Sequence, residues 1–136
     1  MSLHRFHTAQ EDTYATALAE LQAGQKRSHW MWFVFPQLAS LGRSGTAKFY
    51  GIADLAEAQA YLADPVLGPR LIACAEAMLL HPNRTAETIL GPVDAMKLRS
   101  SATLFARAGD SAAPFGQILQ AFYAGSPCPL TAAALA

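Results

Sequence analysis

The fold class depends on one stretch of sequence, His29-Trp30-Met31-Trp32-Phe33-Val34-Phe35, which is apolar after its first residue and is stopped by Pro36. The stretch is too short for hydrophobic periodicity to separate a strand from a buried helix. Its aromatic and β-branched content is compatible with a strand. No second strand candidate occurs in the chain, however, and a lone strand would leave its backbone groups unpaired. The stretch therefore predicts a short buried helix capped by Ser28, and the chain is expected to be all-α.

Start and stop signals divide the rest of the sequence into helices, about six to seven in all. Gly24 is placed to end one helix in a left-handed conformation. Asp54 and Glu57 form a capping-box pattern at the start of another. The longest helix begins at Pro92 and ends before Gly109. Its predicted core stripe contains Ala95, Leu98, Ala102, Phe105 and Ala106.

The chain is expected to be one compact domain covering residues 1–136. A length of 136 residues suits one hydrophobic core, and the sequence has no repeat, linker or break in composition. Residues 1–10 are predicted to be a loose N-terminal tail. They contain no apolar signal-peptide core, and the sequence has no apolar stretch long enough to span a membrane.

Charge and cysteine content argue against several classes of partner. Ten basic and ten acidic side chains give a formal net charge of zero, which gives no support for nucleic-acid binding. The same balance leaves little repulsion between copies and permits self-association. Cys74 and Cys128 lack the spacing of a disulfide framework or a zinc site, which indicates a reduced, cytoplasmic compartment. No motif for a metal or a cofactor occurs.

Several blocks of the sequence resemble an uncharacterised bacterial family, domain of unknown function 1810. They are Lys26 to Gln37, Leu41-Gly42-Arg43-Ser44, Glu57 to Leu62, Pro65 to Leu71, and Asp94 to Ser101 followed by Thr103-Leu104-Phe105. The resemblance implies an all-α fold and no assigned activity. Some members carry the label calpastatin, but this apolar, well-capped chain is unlike a disordered protease inhibitor.

The densest group of candidate site residues accompanies the aromatic stretch. It consists of His29, Trp30, Trp32, Gln37, Arg43, Ser44 and Tyr50. Apolar walls with a few directional polar groups are typical of small-molecule pockets. Arg43 offers a planar fork to a phosphate or carboxylate. The simpler alternative is that the indole rings belong to the core and that His29 only begins a helix.

A second candidate group lies on the helix that begins at Pro92. Asp94, Lys97 and Ser101 are spaced i, i+3 and i+7 and share one face. A lysine beside a serine is found in some hydrolases, whereas the alternative is an Asp94–Lys97 ion pair on a solvated face. Arg70 lies at a helix start, where a cation is electrostatically disfavoured. It is expected to pair with Glu57 or Asp94, or to line a pocket.

Together these residues predict a small-molecule binding domain for an anionic ligand, phosphate-bearing or nucleotide-like. The predicted ligand-binding residues are His29, Trp30, Trp32, Gln37, Arg43, Ser44, Arg70, Lys97 and Ser101. Two alternatives stay open. One is an enzyme that uses His29 as a general base or Lys97 with Ser101 as a nucleophile pair. The other is a protein–protein interaction module whose apolar excess lies partly on the surface.

Overall fold

Ten α-helices form in residues 2–109 and 114–135, the part of the chain that the computed structural model describes. In chain order they are α1 (His4–Glu11), α2 (Tyr14–Ala23), α3 (Met31–Val34), α4 (Gly45–Phe49), α5 (Leu55–Ala63), α6 (Leu67–Met78), α7 (Ala86–Leu90), α8 (Pro92–Ala108), α9 (Phe115–Tyr123) and α10 (Pro129–Leu135). In these ranges the only β pairing is one isolated bridge, so the all-α prediction is confirmed. The predicted number of six to seven helices is wrong, because segments expected to be a tail or single turns form helices of their own.

Helix α3 is formed by the stretch that predicted the fold class. Trp30, which precedes it, is fully buried, and Phe35, which follows it, is 1% exposed. The predicted short buried helix is therefore confirmed. The predicted cap is wrong: no side chain caps α3, and the Ser28 hydroxyl donates to the carboxylate of Glu20 on α2 instead.

Helix α1 replaces most of the predicted loose tail. Phe6 is fully buried. Arg5 Nη2 lies 3.0 Å from Glu57 Oε1, and the ring of His7 lies 2.9 Å from the Asp64 carboxylate, so both ends of α5 hold this helix. The tail prediction is wrong because these polar side chains find partners that are remote in sequence, which the local composition does not reveal.

A buried amide connects α1 to α3 and α5. The side-chain nitrogen of Gln10 donates to the carbonyl of Phe33 at 2.7 Å and to the hydroxyl of Tyr61 at 2.9 Å. Burial raises the pKa of the Tyr61 hydroxyl, which therefore stays protonated at neutral pH. Because buried polar groups are costly when they are unpaired, these bonds fix the positions of the three helices.

Helix α8 lies at the centre of the packing and contacts α5, α7, α9 and α10. Of its predicted core stripe, Ala106 is half-buried. The other four residues are buried, namely Ala95, Leu98, Ala102 and Phe105. The buried apolar residues form one connected cluster. Among the helices described, even α8 with its 17 residues lacks the length and apolar character needed to cross a membrane.

Helix ends are fixed by a close approach and by a left-handed turn. A Cβ atom on Gly68 would lie 2.1 Å from the carbonyl oxygen of Leu62, so only glycine lets α6 begin this close to α5. Gly24 ends α2 with φ at 77°, as predicted. Two side chains that follow α6 bind this end of α2. Arg84 donates a hydrogen bond to the Gly24 carbonyl at 2.9 Å, and the His81 ring donates one to the Leu21 carbonyl at 2.8 Å. The carbonyls of Leu21 and Gly24, at the end of α2, are thereby paired.

The connector between α2 and α3 is organised by one carboxylate. Glu20 Oε1 accepts hydrogen bonds from the amides of Arg27 at 2.8 Å and Ser28 at 3.0 Å, and from the Trp30 indole at 2.9 Å. Partial burial by itself opposes ionisation of Glu20. The donors, with the Ser28 hydroxyl foremost, outweigh that effect and lower the pKa of Glu20 to about 2.

We expect Glu20 to make folding sensitive to acid. Because its folded pKa of about 2 lies below its ordinary value of 4.5, its contribution to the free energy of unfolding is complete above pH 4.5 and is lost as the pH falls toward 2. Glu20→Gln should lower stability at neutral pH by about 1.5–3 kcal/mol, the usual contribution of hydrogen bonds to a charged group. The variant should also lose less stability than the wild type between pH 4.5 and 2.

Urea denaturation across this pH range measures both effects. Glu76→Gln is the matched control, because Glu76 is exposed and forms no ion pair or hydrogen bond with the described residues. Equal pH profiles for the wild type and the Glu20 variant would show that this carboxylate does not stabilise the fold through its charge.

Candidate functional site

A cavity of about 470 Å³ opens between the segment that carries α4, the first turns of α8 and the start of α10. This volume is within the range of roughly 300–1,000 Å³ that is usual for ligand pockets. Most of its wall is apolar. The apolar lining residues are Trp32, Leu38, Leu41, Gly42, Ala47, Tyr50, Val93, Met96 and Leu130, and the polar ones are Gln37, Arg43, Ser44, Lys97, Ser100 and Cys128.

One wall of the cavity is a segment whose two ends are bonded together. The amide of Ala39 donates to the carbonyl of Ile52 at 2.8 Å, and the Ile52 amide donates to the Gln37 carbonyl at 2.7 Å. Within this closed segment the Ser44 hydroxyl accepts from the amide of Ala47 at 3.0 Å and caps α4. These bonds hold Gln37 and Ser44 on the same wall.

The opposite wall is one face of α8. Val93, Met96, Lys97 and Ser100 have the spacing i, i+3, i+4 and i+7, which places them on a single helical stripe. The stripe differs from the buried one that faces the core. Helix α8 therefore fills the core on one side and lines the cavity on another.

Lys97 is the most constrained cation of the cavity. Its Nζ lies 3.7 Å from the ring centroid of Trp32 and 3.2 Å from Asp94 Oδ1. Lys26 Nζ lies 3.0 Å from the other oxygen of Asp94 and 5.1 Å from the ring centroid of Trp30. The three charged side chains are only 10–18% exposed. The Asp94–Lys97 pair is thus present but largely buried, rather than solvated as the alternative interpretation expected.

Cys128 places a thiol on the cavity wall. Burial alone would raise its pKa, but hydrogen bonds from the Thr131 hydroxyl and from the amides of Thr131 and Leu130 outweigh it and lower the pKa of the Cys128 thiol. Its own amide donates to Thr103 Oγ1 at 2.9 Å, which ties it to α8. The other cysteine, Cys74, is buried in the core, where burial raises its thiol pKa to about 12.

The structure brings together five of the nine residues predicted to bind a ligand. Those on the cavity wall are Trp32, Gln37, Arg43, Ser44 and Lys97, and those outside it are His29, Trp30, Arg70 and Ser101. Trp30 belongs to the core. His29 is exposed and forms no hydrogen bond with a residue of the described ranges. His29 also lies outside the cavity, and the structure therefore does not support the general-base hypothesis.

Arg70 and Ser101 are held elsewhere. Arg70 Nη1 lies 3.4 Å from Gln10 Oε1, and its guanidinium lies 4.8 Å from the ring centroid of Tyr14. The predicted pairing of Arg70 with Glu57 or Asp94 is wrong, because Arg5 and two lysines occupy those carboxylates.

Ser101 is 1% exposed and forms no hydrogen bond with Lys97. A nucleophile pair requires the two groups to lie within hydrogen-bond reach. The structure therefore gives the Lys97–Ser101 pair no support. In the described ranges no group of three or more His, Cys, Asp or Glu side chains is arranged to hold a metal ion.

Nine of the fifteen cavity-lining residues are not among the candidates named from the sequence. The missed residues that matter most are Leu38, Leu41, Val93, Met96, Ser100, Cys128 and Leu130. The spacing of Val93, Met96 and Ser100 around Lys97 was a usable signal, because it marks a second apolar stripe on α8. Cys128 and Leu130 gave no such signal, since α10 reaches the cavity only through tertiary packing.

The two cysteines should differ sharply in reactivity. With iodoacetamide at neutral pH we expect alkylation of Cys128, because its thiolate is accessible and stabilised, and no alkylation of Cys74 in the folded protein. Peptide mapping by mass spectrometry reads out the modified position, and Cys128→Ser should abolish the label. Label on Cys74 alone would contradict this assignment of the two environments.

Comparison with known proteins assigns this chain to a family. The model for proteins of unknown function, DUF1810, matches residues 1–135. The conserved hypothetical protein Rv1873 from Mycobacterium tuberculosis, solved at 1.38 Å, shares 50% sequence identity over 98% of this chain and 95% of that chain, with a TM-score of 0.96. No curated protein shows a significant match. Because the family model covers nearly the whole sequence, this chain belongs to the DUF1810 family, whose function is unknown.

Proposed function

We propose that this chain, acting as a single cytoplasmic domain, binds a small organic anion with an apolar body in the cavity between α4, α8 and α10. One observation carries the proposal: the Lys97 ammonium lies against the Trp32 ring on the wall of a mainly apolar cavity. The cytoplasmic location is supported by both cysteines being free thiols.

The position of Lys97 favours an anion over a neutral ligand. Its side chain is 18% exposed, so its charge is screened by solvent less than that of a surface lysine. Charge interactions strengthen when water is excluded. An anion that enters the cavity would therefore gain from Lys97 while its body displaces water from the apolar wall.

Arg43 adds a second positive charge at the same cavity. It is exposed, and within residues 2–109 and 114–135 it forms no ion pair or hydrogen bond. Exposed charges contribute to the attraction of oppositely charged ligands more than to tight binding. Arg43 would then steer an anion toward the cavity, and Lys97 would hold it.

Two fluorescent probes with nearly the same aromatic body separate charge from hydrophobicity. They are 8-anilinonaphthalene-1-sulfonate, an anion, and N-phenyl-1-naphthylamine, its uncharged relative. We expect saturable, one-to-one binding of the anion. Lys97→Met should weaken that binding about tenfold, the size expected for the loss of a charged hydrogen bond, and should leave binding of the uncharged probe unchanged.

Lys48→Met is the matched control, because Lys48 is an exposed lysine of α4 outside the cavity lining. Binding of the anion should also protect Cys128 from alkylation, which locates the probe. The proposal is contradicted if the Lys97 and Lys48 variants bind the anion equally well, or if saturating anion leaves the alkylation rate of Cys128 unchanged.

A second candidate function, a protein–protein interaction module, is favoured by the mouth of the cavity. Three of its lining residues are strongly exposed apolar side chains, Val93 at 65%, Met96 at 73% and Leu130 at 69%. Exposed apolar groups that lie together are typical of interaction surfaces. The partner that the charge favours is a second copy of the chain, since a net charge of zero gives little repulsion between copies.

Sedimentation velocity over a range of concentrations tests this candidate. If the mouth is a self-association surface, the average mass should rise with concentration, and Met96→Gln should suppress the rise. Leu80→Gln should not, because Leu80 is 64% exposed but does not line the cavity. A mass that stays monomeric at all concentrations would remove self-association as a function of this surface.

A further inference from the structure

The charges around Lys97 restrict the kind of anion that the cavity would accept, an inference that rests on the function proposed above. Lys26 and Lys97 contact opposite oxygens of Asp94, so two positive charges share one negative charge. Among the described residues no other carboxylate lies within ion-pair distance of either lysine. The group therefore carries one unbalanced positive charge beside an apolar wall.

Lys97 itself has few hydrogen-bond donors free for a ligand. The ammonium of Lys97 has three N–H groups. Asp94 Oδ1 at 3.2 Å and the Trp32 ring, whose centroid lies at 3.7 Å, occupy two sides of the ammonium, so only part of it faces a ligand. The side-chain amide of Gln37 lines the same cavity and forms no hydrogen bond with a described residue. Lys97 thus offers one charged donor and Gln37 a neutral one, a set that suits a singly charged head group.

A phosphate group fits this arrangement poorly. A phosphate monoester carries a charge of about −1.5 to −2 at neutral pH and three strong acceptor oxygens. Placed beside one unbalanced positive charge, it would keep uncompensated negative charge against an apolar wall, which is costly. Arg43 offsets little of that cost, because it is exposed and screened by solvent.

The rest of the cavity is suited to hydrocarbon. Leu38, Leu41 and Ala47 lie on one wall, and Val93 and Met96 lie on the other. Each methylene that moves from water onto such a surface should strengthen binding about fourfold. A ligand with a polar head and an apolar body would therefore gain from both parts of the cavity.

We infer that the ligand is an amphipathic monocarboxylate, an organic acid with a hydrocarbon or aromatic body, whose carboxylate binds at Lys97 and Gln37. This assignment replaces the phosphate-bearing ligand expected from the sequence with a singly charged one. Lys26 then acts as a positioning residue, because it neutralises Asp94 without touching the cavity.

Isothermal titration calorimetry tests the inference with acids of increasing chain length and with two eight-carbon probes that carry other head groups. The probes are the straight-chain acids from butanoate to decanoate, together with octan-1-ol and octyl phosphate. For the acids we expect an increase in affinity of about fourfold per methylene until the cavity is filled. Octanoate should bind about tenfold more tightly than either octan-1-ol or octyl phosphate.

A change of the shared carboxylate tests the charge balance directly. Asp94→Asn leaves two unbalanced positive charges, so the preference should move toward octyl phosphate. The readout is the ratio of the octanoate affinity to the octyl phosphate affinity. A loss of folded protein would lower both apparent affinities equally and would leave this ratio unchanged. Asp12→Asn is the control, since Asp12 is exposed and forms no ion pair with the described residues.

The outcomes separate this inference from the proposed function. The monocarboxylate assignment is overturned if octyl phosphate binds the wild type more tightly than octanoate, or if the Asp94 variant keeps the wild-type ratio. Either result leaves the proposed function intact as long as the anionic naphthalene probe still depends on Lys97. If the Asp94 variant fails to fold, the comparison of octanoate with octyl phosphate on the wild type decides the question.

Discussion

The hydrogen bonds that converge on Glu20 are the constraint on which the candidate site depends. They fix the connector after α2 and hold the Trp30 indole in the core. With the connector fixed, the Lys26 amide donates to the Ile89 carbonyl at 2.8 Å, and its ammonium reaches Asp94 at the start of α8. Asp94 in turn positions Lys97 over Trp32. Lys97 is therefore placed by a chain of contacts that begins at a carboxylate outside the cavity.

The sharing of one carboxylate by two lysines gives the site its electrostatic character. A simple ion pair between Asp94 and Lys97 would be neutral and would offer an anion little. Because Lys26 also binds Asp94, the pair is held in place and a positive charge remains. The Trp32 ring accommodates the ammonium through its negative face, which reduces the cost of keeping that charge partly buried. The arrangement therefore keeps a net positive charge on the cavity wall.

The cavity contrasts with the rest of the protein, whose core is one connected cluster of buried side chains. Protein interiors are normally packed as densely as organic crystals, and unfilled apolar space costs stability. Three apolar side chains at the mouth, Val93, Met96 and Leu130, are more than half exposed. An unfilled apolar cavity with exposed apolar side chains at its mouth contributes little to folding. This supports the proposal that the cavity serves recognition, either of a small acid or of a second copy of the chain.

Features that depend on neighbours in sequence could be predicted from the sequence by itself. Helix caps, breaks and apolar stripes act over one or two turns, which is why the all-α class, the end of α2 at Gly24 and the start of α8 at Pro92 were correct. The blocks around the aromatic stretch also located five of the cavity residues. Only the tertiary structure decided that α1 is a docked helix, that Lys26 and Lys97 share Asp94, and that the start of α10 lines the cavity. The physical reason is that these contacts join residues far apart in the chain, and their pairing depends on how the helices pack rather than on any local pattern.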